Sequence, residues 1–94
     1  MSSSKKDALV WLDLEMSGLS DQDVILEIAT VVTDTQLNVI AKGPNIVVWQ
    51  PDEILEAMGP WCQKQHVQSG LYQAVQQSTI TLEQAEQQTL TFLK

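Results

Sequence analysis

The sequence predicts an α/β fold in which a three-stranded antiparallel sheet is followed by helices. The first observation is a change of pattern: residues 8–50 are rich in β-branched side chains, whereas residues 51–94 are rich in Gln, Leu and Ala at helical spacing. The second is the polar segment at residues 34–38, which separates two apolar runs and has the length of a hairpin loop. A loop that short joins its strands antiparallel.

Three strands are predicted in the first half of the chain. Residues 8–15 form an almost unbroken apolar run that ends in acids, so we expect this strand to be buried on both faces. Residues 24–33 form the second strand, in which Glu27 is the one charge. Residues 39–49 form the third, where Gly43–Pro44 indicates an edge position or a bulge because proline cannot donate a hydrogen bond to the sheet.

Four helical pieces are predicted in the second half. Proline suits the first turn of a helix and acids suit its positive end, so the first piece opens at Pro51, and Gly59–Pro60 closes it. Residues 61–69 and 71–77 form the next two pieces. The last begins with capping-box spacing at Thr81. Its expected apolar stripe consists of Leu82, Ala85, Leu90 and Leu93.

The composition and the charge exclude several classes of protein. The chain has 94 residues, which suits one small domain or part of a larger one, and its 12 acidic residues stand against five lysines and no arginine, for a net charge of −7. This excludes a groove-reading DNA-binding protein and a polybasic membrane anchor, because both need a basic surface. An acidic chain can still act on nucleic acid if a divalent metal supplies the positive charge.

Two further features concern the cell compartment. The single cysteine, Cys62, excludes a disulfide framework and a cysteine-rich zinc site, and it favours a reducing compartment. No uncharged apolar run approaches the ~20 residues that are needed to cross a bilayer. We therefore expect a cytoplasmic protein that makes no membrane contact.

Asp13 and Glu15 are the first candidates for chemistry, because they lie two residues apart at the end of an apolar strand. The two-residue period of a strand places both carboxylates on the same face. Two such acids repel each other unless a cation lies between them, and oxygen ligands of this kind select Mg²⁺ or Mn²⁺. The spacing alone leaves a second interpretation open, in which the strand ends at Leu12 and both acids are solvated.

The residues around these acids resemble the first motif of the DEDD superfamily of 3′–5′ exonucleases and, more narrowly, the oligoribonuclease family. The motif is Asp13-Leu-Glu-Met-Ser-Gly-Leu19, preceded by Val10-Trp11-Leu12. A lone Asp-x-Glu is a weak signal, but its companions in the right order make the resemblance highly specific, and it covers nearly the whole chain after Asp7. The companions are Glu27-Ile-Ala-Thr-Val-Val-Thr-Asp34, Leu37-Asn38, Gly43-Pro44, Gln50-Pro51, Trp61-Cys62, His66, Ser69-Gly70-Leu71 and the final helix.

The resemblance implies a ribonuclease-H-like exonuclease fold and the hydrolysis of very short oligoribonucleotides from the 3′ end. It implies two Mg²⁺ or Mn²⁺ ions, of which Asp13 bridges both and Glu15 holds the one on the nucleophile side. A complete site in the family also needs two further aspartates and a histidine general base from later motifs, and this sequence has no residues that match them. In its full-length form the family is expected to be a homodimer.

These implications set the expected domain organisation. We expect residues 8–94 to be the N-terminal part of an exonuclease domain, truncated before the later catalytic motifs. We expect residues 1–7 to be a disordered N-terminal tail. The leading function is therefore a 3′–5′ exoribonuclease present as a fragment that is inactive alone. The alternative is a non-catalytic metal- or nucleotide-binding fragment that depends on a partner or on its missing half.

The resemblance also names five candidates for substrate contact. Leu19 matches the position that wedges against the bases, and the alternative is a loop leucine folded over the core. Gly18 lets the backbone pass close to the nucleotide or simply makes the turn, and Ser17 keeps the hydroxyl of the family's more common threonine. Trp61 and His66 could line a base-stacking pocket. The alternative for that pair is a core tryptophan and a surface histidine.

Overall fold

The structure is a computed structural model that describes residues 7–94. The expected tail at residues 1–7 therefore lies outside the described residues, apart from Asp7. Four strands precede four helices. The strands are β1 (Ala8–Met16), β2 (Ile25–Asp34), β3 (Val39–Lys42) and β4 (Ile46–Val47). The helices are α1 (Asp52–Glu56), α2 (Pro60–Ser69), α3 (Leu71–Gln77) and α4 (Leu82–Leu93).

The strands form one antiparallel sheet with β2 at its centre. β1 pairs with β2 over its whole length, and β3 and β4 both pair with β2. The antiparallel sheet followed by helices confirms the predicted fold class. Gly43–Pro44 divides the predicted third strand into β3 and β4, and the Gly43 amide donates to the Thr30 carbonyl at 2.8 Å. The interruption indicated by the proline is therefore a break between two short strands on the same side of β2.

The core of the described residues consists of two clusters, and each contains a side chain from β2. In the first, Leu26 packs among buried residues of the helical region, namely Leu55, Met58, Leu71 and Val75. In the second, Ile28 packs with Ile46, Val48 and Ala85 of α4. Because β2 contributes to both clusters, it is the strand on which the helices are assembled.

The start of α4 follows the prediction from its local sequence. The Thr81 side chain accepts from the Gln84 amide at 3.1 Å, and the Gln84 side chain accepts from the Thr81 amide at 2.9 Å. These reciprocal bonds satisfy two of the donors that a helix leaves free at its N-terminus. The Ile80 side chain packs against the cluster that contains Ala85, so the chain enters the helix at a fixed angle.

Two expectations about burial are wrong. The β1 strand was expected to be buried on both faces, yet all of its residues except Met16 are exposed, because it forms an edge of the sheet and the described helices pack elsewhere. The expected stripe on α4 is also displaced. Ala85 and Thr89 are its buried residues, whereas Leu82, Leu90 and Leu93 remain exposed. The face that packs is set by where α4 meets β2 and β4.

Among residues 7–94, no helix is long and apolar enough to cross a membrane.

Candidate active site

The pairing of β1 with β2 brings three acids to one face of the sheet. Asp13 lies opposite Ala29, and Glu15 lies opposite Glu27. Directly opposed residues of an antiparallel pair project to the same side, so Asp13, Glu15 and Glu27 share a face. Asp13 and Glu15 are both exposed, at the end of β1 just before a bulge between Glu15 and Met16.

The pKa of Glu27 shows how the three acids of this face affect one another. Desolvation raises the pKa of its carboxyl, and the negative charges of Glu15 and Asp13 raise that pKa further. The charged groups that act on Glu27 are both acids. Repulsion of this kind is relieved when a cation binds among the carboxylates.

The arrangement fits a metal site with two carboxylate ligands and no more. Asp13 and Glu15 are hard oxygen donors on one face, which is the donor type that Mg²⁺ and Mn²⁺ prefer. Within the part of the chain that the structure describes, no three His, Cys, Asp or Glu side chains are grouped so that they could hold a metal ion. Glu27 is therefore close enough for the other two charges to raise its pKa, but it does not complete a set of three metal ligands.

A cavity of about 390 Å³ lies between the acidic face and the helices. Glu15 and Glu27 line its sheet side. Residues of α2, of α3 and of the link between them line the other side, among them Trp61, Gln65, His66, Ser69 and Gly70. The left-handed Gly70, with φ of 84°, ends α2 and begins α3, and this conformation favours glycine. The turn at Gly70 thus joins the two helices at the edge of the cavity.

His66 connects α2 to the end of β1. Its ring is buried, and Nε2 lies 2.9 Å from the Met16 carbonyl oxygen. Since a carbonyl only accepts, Nε2 carries the hydrogen in this bond. The residue that follows Glu15 is therefore held in place by a helix 50 residues further along the chain.

The burial of Trp61 and His66 is the opposite of the structural alternative considered from the sequence. That alternative was a core tryptophan and a surface histidine, but Trp61 is 71% exposed and His66 is 8% exposed. Trp61 also borders a second cavity of about 230 Å³, together with Leu14, Glu15, Met16, Gly18, Leu19, Cys62 and His66. An exposed aromatic face thus stands beside the acids.

The loop after β1 is organised around Asp23. The Ser17 hydroxyl donates to Asp23 Oδ1 at 2.8 Å, and the Ser20 amide and hydroxyl donate to Oδ2 at 2.9 and 2.7 Å. Ser17 is buried, and its hydroxyl also accepts from the Val24 amide. The one hydrogen of that hydroxyl is used inside the loop, and the expected contact of Ser17 with a nucleotide stays a prediction.

Gly18 and Leu19 have distinct places in the same loop. A Cβ on Gly18 would lie 2.7 Å from the Asp23 Cγ, so a side chain at this position would displace the carboxylate. Leu19 is fully exposed, which excludes the alternative of a leucine folded over the core. Gly18, Leu19 and Trp61 border the second cavity, whereas Asp13 borders neither of the two cavities described.

Sequence reasoning missed two residues of this region, Asp23 and Glu27. The signal for Asp23 was present, because an Asp three residues after a turn serine is a common acceptor for backbone and hydroxyl donors. No local signal marked Glu27, because its position opposite Glu15 comes from the register of β1 on β2 and not from the predicted hairpin at residues 34–38.

Comparisons with known proteins identify a family that the chain resembles over most of its length. The exonuclease family profile matches residues 10–94. The chain is 49% identical over 92 residues to the human protein named "Oligoribonuclease, mitochondrial", covering 97% of this chain and 39% of that protein. It is 53% identical over 91 residues to the oligoribonuclease of Marinobacter nauticus, covering 96% and 51%. For the oligoribonuclease of Pseudomonas aeruginosa PAO1 the identity is 55% over 87 residues, covering 92% and 48%. The chain thus spans about half the length of these bacterial relatives and less of the human one.

Proposed function

The chain belongs to the exonuclease family, and we propose that it supplies the first metal-binding motif of a 3′–5′ exoribonuclease that degrades very short oligoribonucleotides to mononucleotides. The observation that carries this proposal is the placement of Glu15 in one cavity with Trp61 and His66. Acidic ligands for a cation and an exposed aromatic ring for a base thus stand side by side. Phosphate and base are the two parts of a nucleotide that such groups bind.

Membership of the exonuclease family implies dependence on a divalent metal. We propose Mg²⁺ or Mn²⁺ as the metal, as two ions in the complete site, with Asp13 and Glu15 as the ligands from this chain. When bound, such ions polarise the phosphate and lower the pKa of a nucleophilic water. Without a bound cation, the carboxylates of a chain with net charge −7 repel a phosphodiester. Substrate binding is therefore expected to require the cation.

The remaining residues position the substrate. The exposed ring of Trp61 offers a stacking face that accepts any base. Leu19 borders the second cavity together with Trp61 and offers an apolar side chain there. The cavity of about 390 Å³ lies at the small end of the usual range for ligand sites, which supports a substrate of very few nucleotides.

We propose that these 94 residues bind metal and nucleotide but do not hydrolyse RNA at a useful rate. His66 is the one histidine of the sequence, and its Nε2 is held by the Met16 carbonyl. General-base assistance contributes about 10²–10⁴-fold to rate, and loss of single members of a coupled site typically costs orders of magnitude. We therefore assign the further metal ligands and the general base to residues outside this sequence. In this proposal residues 8–94 are the N-terminal part of an exonuclease domain.

A second candidate is a non-catalytic metal- or nucleotide-binding fragment that works only with a partner or with its missing half. The specific observation in its favour is that residues 7–94 offer no group of three potential ligands for one ion. We also propose a cytoplasmic location and, for the full-length protein, a homodimer. Both proposals follow from the resemblance described above.

Two measurements test the function. Titration calorimetry with Mn²⁺ is expected to show weak binding that Asp13→Ala and Glu15→Ala abolish. Glu86→Gln, which removes one exposed charge on α4, is the matched control and is expected to bind as the unaltered chain does. Metal binding that survives both alanine substitutions would contradict the proposed site.

The second measurement is hydrolysis of a labelled diribonucleotide in Mn²⁺. We expect binding without efficient cleavage. Robust cleavage that disappears in Asp13→Ala would contradict the proposed inactivity and would reject the non-catalytic candidate. Absence of both metal and diribonucleotide binding would contradict the exoribonuclease proposal itself.

A further inference from the structure

Leu19 is unusual because a large apolar side chain stands fully in solvent on a loop. A mobile loop would have to be ordered each time Leu19 met a ligand, and ordering costs affinity. The loop is instead anchored at both ends. The Ser17 amide donates to the Val24 carbonyl at 2.9 Å, and the His66 ring holds the Met16 carbonyl next to Ser17.

Asp23 is the centre of this loop. Its carboxylate accepts three hydrogen bonds of 2.7–2.9 Å from Ser17 and Ser20, two from hydroxyls and one from a backbone amide. Hydrogen bonds to an ionised carboxylate are short and stronger than neutral ones. These donors lie on both sides of Leu19 in sequence, so one carboxylate closes the segment that carries the leucine.

The second observation is the contact between Asp23 and Gly18. The carboxylate lies where a Cβ on residue 18 would be, so the backbone directly before Leu19 packs against it. Hydrogen bonds fix the loop from Ser17 and Ser20, and van der Waals contact fixes it from Gly18. The position of the Leu19 backbone thus depends on Asp23 through both kinds of contact.

We propose that Asp23 is a positioning residue that pre-orders the loop, so that Leu19 meets a short nucleic acid chain without first losing conformational entropy. This inference deepens the proposed function and rests on it for the identity of the ligand. Asp23 itself touches no nucleotide in this account. It acts through Leu19, which stands beside Trp61 at the second cavity.

The surroundings support a role for the carboxylate as an anion. Bonds from the Ser20 side chain, the Ser20 backbone and the Ser17 side chain lower the pKa of Asp23. The titratable group that faces the loop from α1 is Glu53, which lines a shared cavity with Ser17, Ser20 and Asp23. Asp23 is thus expected to hold its hydrogen-bond donors throughout the neutral range.

The main experiment compares four forms of the chain in diribonucleotide binding, measured by calorimetry with diadenylate and Mn²⁺. Asp23→Asn keeps the size of the side chain but turns one acceptor into a donor that faces donors. We expect Asp23→Asn and Leu19→Ala each to weaken binding by about threefold to tenfold, the range for one net hydrogen bond or small apolar contact. The double variant is expected to bind as Leu19→Ala does.

This non-additivity separates positioning from general destabilisation. If Asp23 acts through Leu19, it has nothing left to position once Leu19 is removed. Asp21→Asn, in the same loop but outside these hydrogen bonds, is the matched control and should bind as the unaltered chain does. If the affinity losses of Asp23→Asn and Leu19→Ala multiply in the double variant, the inference is overturned.

A second measurement keeps the inference separate from the proposed function. If the unaltered chain binds no diadenylate, the proposed nucleotide binding fails, but the loop can still be examined by the NMR order parameter of the Leu19 backbone amide. We expect an ordered Leu19 that becomes mobile in Asp23→Asn and in Gly18→Ala. An order parameter that both substitutions leave unchanged would overturn the inference, and so would a Leu19 that is already mobile.

Discussion

The strands β1 and β2 are alike in sequence and opposite in environment. Both are apolar runs of about the same length, and they pair along nearly all of it. In β2 every second residue from Leu26 to Thr30 is buried, whereas in β1 eight of the nine residues are exposed. β2 has a neighbour on each edge and helices against it, while β1 forms an edge of the sheet.

This difference teaches that an apolar run predicts a strand but not what covers it. The exposed side chains of β1 include Leu9, Val10, Trp11, Leu12 and Leu14. Apolar residues on both faces are typical of a strand at the centre of a sheet, and exposed apolar edges invite association. Among residues 7–94, β1 is therefore an edge strand with exposed apolar side chains.

The sharpest test compares one leucine from each strand. Leu26 is fully buried and Leu12 is 55% exposed. Leu26→Ala is expected to lower the free energy of unfolding by about 2–5 kcal/mol, because it leaves a cavity. Leu12→Ala is expected to lower it by less than about 1 kcal/mol, because that side chain is half in solvent already. Urea unfolding followed by circular dichroism measures both, and equal losses would mean that β1 is covered in solution.

A second prediction concerns the side of β2 that α4 covers. Gly43 has no room for a side chain, because a Cβ would lie 2.8 Å from the Phe92 ring and 3.2 Å from the Thr30 Cβ. Gly43→Ala is expected to cost about 1–3 kcal/mol through overpacking. Gly59→Ala, where a Cβ would meet nothing within 4 Å, is the control and should be neutral or slightly stabilising. A neutral Gly43→Ala in the same urea assay would contradict close packing of α4 on the sheet.

A third prediction uses Glu27, the acid of β2 that faces the acids of β1. Its raised pKa means that the folded state binds this proton more tightly than the unfolded state does, so ionised Glu27 destabilises the fold at neutral pH. With a chelator present, Glu27→Gln is expected to raise the melting temperature at pH 7. The gain should shrink as the pH falls through the raised pKa, because the unaltered chain then becomes protonated.

The control for that experiment is Glu86→Gln, since Glu86 is exposed on α4. Glu86→Gln is expected to leave the melting temperature nearly unchanged, both at pH 7 and below the pKa of Glu27. If Glu27→Gln lowered the melting temperature at pH 7, Glu27 would have a stabilising partner in solution, and the repulsion inferred from Glu15 and Asp13 would be wrong.

The smallest expected change in stability belongs to Leu12→Lys. A lysine on an exposed edge strand discourages pairing between molecules without disturbing the fold. Analytical ultracentrifugation is expected to show less self-association than for the unaltered chain, with the urea midpoint nearly the same. Val67→Lys places the same charge on an exposed position of α2 and serves as control. Equal suppression by both would show that net charge matters and the β1 edge does not.

Local chemistry made much of the fold predictable. The capping box at Thr81 needs only four consecutive residues, and Gly70 ends α2 because of its own backbone conformation. The hairpin and the break at Gly43–Pro44 are likewise read from adjacent residues. Such features depend on few atoms, all close in sequence, so a single sequence contains them in full.

The remaining features depend on what meets across the fold. Whether Leu82 or Thr89 faces the sheet is decided by the rotation of α4 against β2 and β4. The exposed ring of Trp61 and the buried ring of His66 are decided by how α2 meets the end of β1. The resemblance named Asp13 and Glu15 as site residues, but only the strand register places Glu27 with them.

The hydrogen bond between His66 and Met16 has a consequence for the order of assembly. It joins groups that are 50 residues apart, so closing it requires a long segment of chain to be organised first. The hairpin of β1 and β2 can form from near neighbours, which are the fastest contacts a chain makes. During synthesis, the two acids at the end of β1 would therefore emerge well before the helix that secures the backbone beside them. The proposed metal site is therefore complete in its backbone only late in folding, although Asp13 and Glu15 are synthesised early.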